Sequence, residues 1–247
     1  MNLALDFGNS RVKAAIFDKR KLLYVESYLS FTIKKLETTI RKFKVMSSIL
    51  ASVTNEGKEI EQLLKEKTHF IKFDSATAIP INNLYETPRT LGADRLANLI
   101  GAHSVAGKRN ILVISAGTCI TYDVITAEEN YFGGNITPGL DMRLKAMNTF
   151  TARLPLVKKK MTNELFGRST KESLLTGAIT GASLEMKGFI SEYKKKYPRL
   201  RVILTGGDAL YFKTMVQDKL PDGKSKTFAV PHLSLYGLNE ILLMHNA

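Results

Sequence analysis

The stretch ILVISAGTCITYDVI, Ile111–Ile125, indicates a duplicated fold, because the start of the chain repeats its pattern as LALDFGNSRVKAAIFD, Leu3–Asp18. Both stretches consist of an apolar strand, a turn of small residues and a second apolar strand, the pattern of a β-hairpin. We name them the N-terminal hairpin (3–18) and the central hairpin (111–125). An offset of 109 residues superposes three pairs of residues, Asp6 on Ser115, Gly8 on Gly117 and Asn9 on Thr118. One copy therefore carries a carboxylate where the other carries a hydroxyl.

Each hairpin is followed by the same succession of elements. Apolar periodicity predicts strands at 3–7, 12–17, 22–31, 45–53 and 69–73 and helices at 32–43 and 56–67 in the first half. In the second half it predicts strands at 110–115, 119–126, 131–136, 200–205 and 227–230 and helices at 139–152, 172–196, 207–218 and 233–245. We therefore predict an α/β fold of two duplicated lobes with a cleft between them. The predicted division is an N-terminal lobe (1–92), a linking helix (93–109) and a C-terminal lobe (110–247).

Composition indicates a globular cytoplasmic protein. Of the 247 residues 44% are hydrophobic and 24% charged, and none of the apolar runs approaches the roughly 18 residues that a membrane span requires. The single cysteine, Cys119, has no partner for an intramolecular disulfide, which fits a reducing compartment. We expect no association with a membrane.

The formal charge of +13 favours binding of anions but does not indicate which kind of anion is bound. Much of the excess lies in three lysine-rich or arginine-rich runs, which we place in a turn (19–21), a loop (158–160) and a helix end (194–196). Aromatic residues do not interleave with these runs, as they do in many single-strand nucleic-acid sites. We interpret the runs as solvated surface, and nucleic acid as an unlikely partner.

The N-terminal hairpin has the composition of a phosphate-binding loop. Gly8 permits a turn whose backbone amides point at an anion. Asp6 is an acid at the end of an apolar strand, where a role on Mg²⁺ would explain it. The alternative is a plain Asn/Ser-rich turn that its own side chains stabilise.

Two further glycine-containing turns strengthen the nucleotide hypothesis. Gly117 and Thr118 repeat the small-residue turn, so that two facing hairpins could hold the phosphates of ATP between the lobes. Gly206 and Gly207, in ILTGGDA, lie between a predicted strand and a predicted helix, where a base or ribose can approach the backbone. Such a pair of glycines is also common in ordinary tight turns.

The stretch GAHSVAGKR imitates a P-loop but does not match one. Its glycines, Gly101 and Gly107, have five residues between them instead of four, and no Ser or Thr follows Lys108. It also lies at the end of a helical pattern, and we set it aside.

The stretch LYETPRTLGADRLAN carries Asp94 and Arg95 at the start of an apolar helix. An Asp beside an Arg is what a kinase needs, a carboxylate that accepts a proton from an attacking hydroxyl and a guanidinium that holds an anion. The alternative is that Asp94 is only the helix N-cap.

Taken together, the motifs resemble type III pantothenate kinases, members of the actin/sugar-kinase/Hsp70 superfamily. The motifs that carry the resemblance are DFGNS, Y…LGADR, SAGTCITYD, GGNITPGL and GRSTKESLLTG, in the family's order and over nearly the whole chain. The resemblance implies duplicated ribonuclease H-like (actin-like ATPase) lobes. It also implies ATP-dependent phosphorylation of pantothenate to 4′-phosphopantothenate, the first step of coenzyme A biosynthesis, by a homodimer with composite active sites.

The resemblance also implies roles for individual residues. Asp94 would be the general base, Asp6 would face Mg²⁺, and Thr118 would lie in the second phosphate loop. The first phosphate loop would comprise Asp6, Phe7, Gly8, Asn9, Ser10, Arg11, Val12 and Lys13. The pantothenate contacts would be Tyr85, Gly92, Ala93, Asp94 and Arg95, with Thr170 reaching the neighbouring subunit's site.

Ser115 departs from the family's pattern, which has an aspartate there associated with a monovalent cation, K⁺ or NH₄⁺. A hydroxyl adds no negative charge, so we expect cation binding at Ser115 to be weak or absent. Two alternative functions stay open, a transcriptional accessory factor of the same family and a kinase for another small hydroxy acid.

Overall fold

The computed structural model describes residues 1–8, 11–52, 57–216 and 227–246. The elements of the first half are β1 (Asn2–Phe7), β2 (Val12–Asp18), β3 (Lys21–Tyr28), α1 (Ile33–Phe43), β4 (Ser47–Ser52), α2 (Lys58–Lys67), β5 (His69–Phe73), β6 (Asn82–Asn83) and α3 (Ala93–Ala106). Those of the second half are β7 (Ile111–Ala116), β8 (Cys119–Ile125), β9 (Asn130–Pro138), α4 (Leu140–Thr149), α5 (Thr170–Lys196), β10 (Arg201–Thr205), α6 (Ala209–Val216), β11 (Thr227–Ala229) and α7 (Leu233–His245).

The predicted strands and helices are confirmed, with bounds that differ from the prediction by up to three residues. The third strand ends at Tyr28 instead of residue 31. The short strand β6 and a 3-10 turn at Pro88–Thr90 were not predicted. The predicted element bounds at 53, 56 and 218 lie outside the described residues.

The two sheets repeat one strand arrangement, which confirms the predicted duplication. The first sheet has the order β3-β2-β1-β4-β5, and the second, read from its other edge, contains β9-β8-β7-β10-β11. In both sheets the hairpin strands are antiparallel, and the next two strands add in parallel, β4 and β5 in one and β10 and β11 in the other. β6 pairs in parallel with the first two residues of β9.

The contacts divide the chain into two compact units. The first comprises the described residues among Met1–Lys108, Glu128–Phe132 and His232–Ala247, and the second those among Arg109–Ala127 and Gly133–Pro231. Within the described residues, no helix is long and apolar enough to cross a lipid bilayer.

The N-terminal hairpin packs on both of its faces. Because side chains alternate along a strand, Leu3, Leu5 and Phe7 lie on one face of β1 and join the core formed with α1 and α2. Asp6 lies on the opposite face, where β1 and β2 contact α7. The last helix of the chain therefore packs against its first strands.

Helix α7 also crosses α3 at close range, which explains two glycines. A β-carbon at Gly237 would lie 1.8 Å from the Ala97 carbonyl oxygen, and one at Gly101 would lie 2.2 Å from the Leu233 carbonyl oxygen. Any larger residue would force the helices apart. Gly101 is therefore an interior residue of α3 at a helix crossing. This agrees with the interpretation that GAHSVAGKR is not a P-loop.

The second unit has its own core on one face of the central hairpin. Ile114, Ala116 and Tyr122 pack there against buried residues of α5 and α6, among them Met186 and Phe212. Side chains of opposite orientation, including Ser115, lie on the other face of the sheet. The central hairpin thus has one apolar face and one that carries polar groups.

Candidate functional site

Asp6 is a buried acid with two partners in the first unit. The residue is 7% exposed, and its Oδ2 accepts a 2.7 Å hydrogen bond from the Ser234 hydroxyl. Lys13 lies directly opposite on β2, with its Nζ 3.5 Å from the same oxygen. The strand pairing therefore places a cation across from the carboxylate.

His232 is the N-cap of α7 and lies in the left-handed region, with φ of 58°. Its pKa is lowered by burial and by the charge of Lys13, and the charge of Asp6 opposes this. The N-terminus of a helix favours negative charge, so α7 begins where it stabilises the Asp6 carboxylate.

The other residues of the predicted first phosphate loop differ in what they can contribute. Phe7 and Val12 are buried in the core with α1 and α2, so only their backbone is available to a ligand. Arg11 is exposed, and the Gly8 N–H donates to the Arg11 carbonyl oxygen at 3.1 Å. Asn9 and Ser10 lie outside the described residues.

In the second unit, Ser115 lies between two threonines. Thr121 is opposite it on β8, and Thr205 is its neighbour on β10. The three hydroxyl residues form a polar row across adjacent strands, and a buried acid, Asp123, lies two residues from Thr121 on the same face of β8. The row itself would offer a monovalent cation neutral oxygens, which fits the expectation of weak binding at Ser115.

The turn glycines of the second unit differ in whether a side chain would fit at their position. Gly206 has φ of 94°, and a β-carbon there would lie 2.2 Å from the Ala116 carbonyl oxygen. Its identity is therefore required by the tight turn. A β-carbon at Gly117 or Gly207 would meet nothing within 4 Å, so each leaves open space beside the backbone.

Lys159 is fixed beside the Gly206–Gly207 turn. Its Nζ lies 2.8 Å from Oδ1 of Asp208, which follows the turn, and 2.7 Å from Oδ2 of Asp141 on α4. Burial lowers the pKa of Lys159, but the hydrogen bonds to the two acids outweigh this and raise it. The interpretation of the run 158–160 as solvated surface is wrong for this lysine. The runs at 19–21 and 194–196 lie in a turn and at a helix end, as predicted.

Asp94 is an exposed acid at the start of α3. It is the second helical residue, and the N-cap is Gly92, so the alternative that Asp94 is the N-cap is wrong. Its side chain lies back over that glycine, because a β-carbon at Gly92 would be 2.5 Å from Asp94 Oδ1. The glycine therefore permits this carboxylate position.

Arg95 and Tyr85 pack together beside Asp94. Arg95 is 6% exposed, and its guanidinium carbon lies 5.6 Å from the centre of the Tyr85 ring. The Tyr85 ring stacks on Tyr131 at 5.9 Å, which holds it in place. A buried guanidinium held by an aromatic face is a fixed positive group that suits an anionic ligand. Ala93 begins α3 next to this group.

Thr170 is the first helical residue of α5 and is exposed. The Ser169 hydroxyl accepts from the Glu172 N–H at 3.3 Å, and Glu172 accepts from the Arg168 N–H at 2.8 Å. These two hydrogen bonds fix the end of the helix from which Thr170 projects.

Three residues of the site region were not predicted: Ser234 and Lys159, which bond to Asp6 and Asp208, and His232, the N-cap of α7. Only their position in the fold reveals them, because Ser234 is 228 residues from Asp6 in the chain. Among the described residues, no group of three or more His, Cys, Asp or Glu side chains could hold a metal ion. A divalent ion would depend on Asp6 together with oxygens of the nucleotide, which fits Mg²⁺.

Comparison with solved structures supports the fold. A protein described as a Baf family transcriptional activator from Campylobacter jejuni has a TM-score of 0.61 at 21% identity, with 99% of this chain and 98% of that chain covered. The activator of the 2-hydroxyisocaproyl-CoA dehydratase from Clostridium difficile, with bound ADPNP, has a TM-score of 0.51 at 12% identity, with 99% and 94% covered. Together with the repeated sheets, these likenesses confirm the predicted actin-like ATPase fold.

Comparison of sequences identifies the family. The model of the type III pantothenate kinase family matches residues 2–192. A type III pantothenate kinase from Phocaeicola vulgatus is 42% identical over 243 residues, which cover 98% of each chain. One from Bacteroides fragilis is 41% identical over 247 residues, which cover 100% of this chain and 99% of the relative. The chain therefore belongs to the type III pantothenate kinase family.

Proposed function

We propose that this chain transfers the γ-phosphoryl group of ATP to the hydroxyl of pantothenate and forms 4′-phosphopantothenate in the cytoplasm, using the residues described above. The observation that carries the residue assignment is Asp94, an exposed carboxylate at the start of α3 beside the buried Arg95. The lobes 1–92 and 110–247, with the helix between them, are part of this proposal.

Asp94 is the general base in this proposal. Its carboxylate accepts the proton of the attacking pantothenate hydroxyl, while Arg95 and Tyr85 hold the substrate's own carboxylate. Gly92 and Ala93 line the approach through their backbone. The hydroxyl oxygen then attacks the γ-phosphorus, and the bond from that phosphorus to the β,γ-bridging oxygen breaks to release ADP.

Asp6 holds Mg²⁺ in this proposal, with Lys13 opposite it on the hairpin. A bound Mg²⁺ would supply positive charge to the phosphates of the nucleotide, and Asp6 would hold it there. The backbone from Gly8 to Arg11 and the turn at Gly117 and Thr118 bind phosphates, and Gly206 and Gly207 lie beside the nucleoside. Because Gly117 and Gly207 leave open space beside the backbone, they suit close approach of a ligand.

We propose that no monovalent cation binds tightly at Ser115. The row of Ser115, Thr121 and Thr205 offers neutral oxygens, whereas K⁺ and NH₄⁺ bind more tightly where a carboxylate contributes charge. We therefore expect turnover that depends little on either ion.

The enzyme acts as a homodimer in this proposal, with Thr170 completing the partner's site. The segment that precedes Thr170 exposes large apolar side chains, with Phe150 85%, Leu165 75% and Phe166 67% exposed. Exposed apolar surface of this kind suits coverage by a second copy. Sedimentation at micromolar concentration should give the mass of a dimer, and a monomer would contradict this part of the proposal.

The test of the base is Asp94→Asn, which keeps the size of the side chain and removes its basicity. We expect kcat to fall by about 10²–10⁴-fold, the usual contribution of a general base. The matched control is Glu59→Gln, because Glu59 is also the second residue of a helix with a glycine N-cap and is also exposed. An Asp94→Asn enzyme that matches the control in an ATP-dependent assay with pantothenate would refute the assignment.

A further inference from the structure

The last helix of the chain contributes a hydroxyl to the N-terminal hairpin. Ser234, in the first turn of α7, donates to Asp6 Oδ2 at 2.7 Å, and the two residues are 4% and 7% exposed. This is a hydrogen bond to a charged group in a buried setting, the stronger class of hydrogen bond. Nothing in the local sequence of either residue requires it.

The position of Ser234 is fixed by the rest of α7. Asn239 accepts from the Asn2 amide at 3.0 Å and donates to the Lys19 carbonyl oxygen at 2.8 Å, so it contacts the first residue of β1 and the turn that follows β2. Tyr236 packs edge-on against Phe17, with ring centres 5.5 Å apart. The helix is therefore attached along the length of the hairpin and cannot shift without breaking several contacts.

The attachment uses one oxygen of Asp6 only. Ser234 and Lys13 both reach Oδ2, and no other hydrogen-bond donor in the described part of the chain reaches the carboxylate. The short contact from Ser234 fixes the rotation of the carboxyl group, because Lys13 at 3.5 Å is a looser and more exposed partner.

We propose that Ser234 is a positioning residue for the reaction, which occupies Asp6 Oδ2 so that Oδ1 is directed to the metal-bound nucleotide. The inference rests on the proposed role of Asp6. Without the hydroxyl, the carboxylate turns towards Lys13 and the pair neutralises itself. Metal-dependent nucleotide binding then weakens, while the fold keeps the other contacts of α7.

The experiment compares Ser234→Ala and Ser234→Thr with the unmodified protein. The matched control is Ser183→Ala, because Ser183 is also a buried helical serine, whose hydroxyl donates to the Ile179 carbonyl oxygen of its own helix. Calorimetry measures the Kd of ATP with Mg²⁺ and with EDTA, steady-state rates give KM and kcat, and thermal unfolding reports stability.

For Ser234→Ala we expect the Kd and KM for ATP with Mg²⁺ to rise about tenfold, as for a lost hydrogen bond to a charged group. The Kd in EDTA, the KM for pantothenate and the unfolding temperature should change no more than in Ser183→Ala. Ser234→Thr should stay within about twofold of the unmodified protein, because it keeps the hydroxyl.

The inference is wrong if Ser234→Ala binds ATP normally with Mg²⁺, if its loss is equal in EDTA, or if Ser234→Thr binds no better than Ser234→Ala. Asp6→Asn separates this failure from that of the proposed function. If Asp6→Asn weakens Mg²⁺-dependent binding and Ser234→Ala does not, only the positioning role fails. If Asp6→Asn has no effect, the role of Asp6 fails, and the inference fails with it.

Discussion

The two hairpins share a fold but differ in a pair of facing residues. In the N-terminal hairpin Asp6 pairs with Lys13, and in the central hairpin Ser115 pairs with Thr121. Four residues separate the last paired residues of the first hairpin and three those of the second, so the offset between the copies falls from 109 to 108 across the turn. A carboxylate faces a cation in one copy, and a hydroxyl faces a hydroxyl in the other.

The hairpins are also supported differently. The central hairpin is held by Gly139, where a β-carbon would lie 2.1 Å from the Gly117 carbonyl oxygen. Arg143, on the helix that follows, donates to the Pro138 carbonyl oxygen at 2.8 Å and pairs with Glu185 at 2.6 Å. The turn of the central hairpin is thus supported by the backbone of Gly139, and its ion pair lies elsewhere, whereas in the N-terminal hairpin the Asp6 carboxylate is itself one of the contacts with α7.

Substitutions at the two equivalent positions, 6 and 115, should differ widely in their effect on turnover. Asp6→Asn should lower kcat/KM for Mg²⁺·ATP by about 10²–10³-fold, the scale on which a preorganised charge or donor contributes to catalysis. Ser115→Ala should lower it by less than about fivefold, because it removes one neutral hydroxyl. Initial rates at varied ATP measure both.

Asp6→Asn is isosteric, so a loss of turnover in this variant can be attributed to the lost charge. Asn at position 6 still accepts from Ser234, so the attachment of α7 survives and unfolding temperatures should stay close. Losses of equal size in the two variants would show that the hairpins contribute alike and would remove the distinction drawn from their facing residues.

The second prediction concerns the support of the central hairpin. Burial raises the pKa of Glu185, but hydrogen bonds from Arg143, Thr137 and Tyr122 outweigh it, and the pKa lies below its ordinary value of 4.5. A depressed folded-state pKa contributes stability above pH 4.5 that is lost as the pH falls through the folded value.

Glu185→Gln should therefore destabilise the protein by roughly 2 kcal/mol at pH 7, less than for a fully buried pair because both side chains are partly solvated. The difference from the unmodified protein should shrink as the pH falls below 4.5, where Glu185 becomes protonated. Denaturant unfolding across this pH range measures it. Since Glu192 is exposed on the same helix, Glu192→Gln is the control, with little change at any pH. A pH-independent difference would contradict the assignment.

The sequence predicted local structure far better than it predicted contacts. Strand 69–73 and helix 233–245 were predicted with their observed bounds, because apolar periodicity and caps are local properties. The partnership of Ser234 with Asp6 could not be predicted, since it depends on the last helix packing on the first strand. The pairing of Lys159 with Asp141 and Asp208 could not be predicted either, since it also depends on tertiary packing. In the sequence Lys159 is one of three adjacent lysines. The ligand roles assigned to the site residues, and the lobe bounds at 92 and 109, stay predictions.

The smallest expected effect lies at Ser115, where Ser115→Asp would give the central hairpin the acid of the N-terminal one. The new carboxylate would have Thr121 and Thr205 beside it, which can donate hydrogen bonds but carry no charge, and no lysine opposite. A carboxylate near phosphates at an effective dielectric of about 20 is unfavourable by a few kcal/mol unless a cation accompanies it.

We therefore expect the unmodified enzyme to respond little to K⁺ or NH₄⁺ and Ser115→Asp to be activated several-fold by them. The control is Ser115→Asn, which adds the bulk without the charge and should behave as the unmodified enzyme. The measurement is the initial rate against K⁺ concentration at constant ionic strength, with Tris as the replacement cation. Strong K⁺ activation of the unmodified enzyme would mean that three neutral hydroxyl residues form an adequate cation site, and the difference in charge between the hairpins would then have no consequence for cation binding.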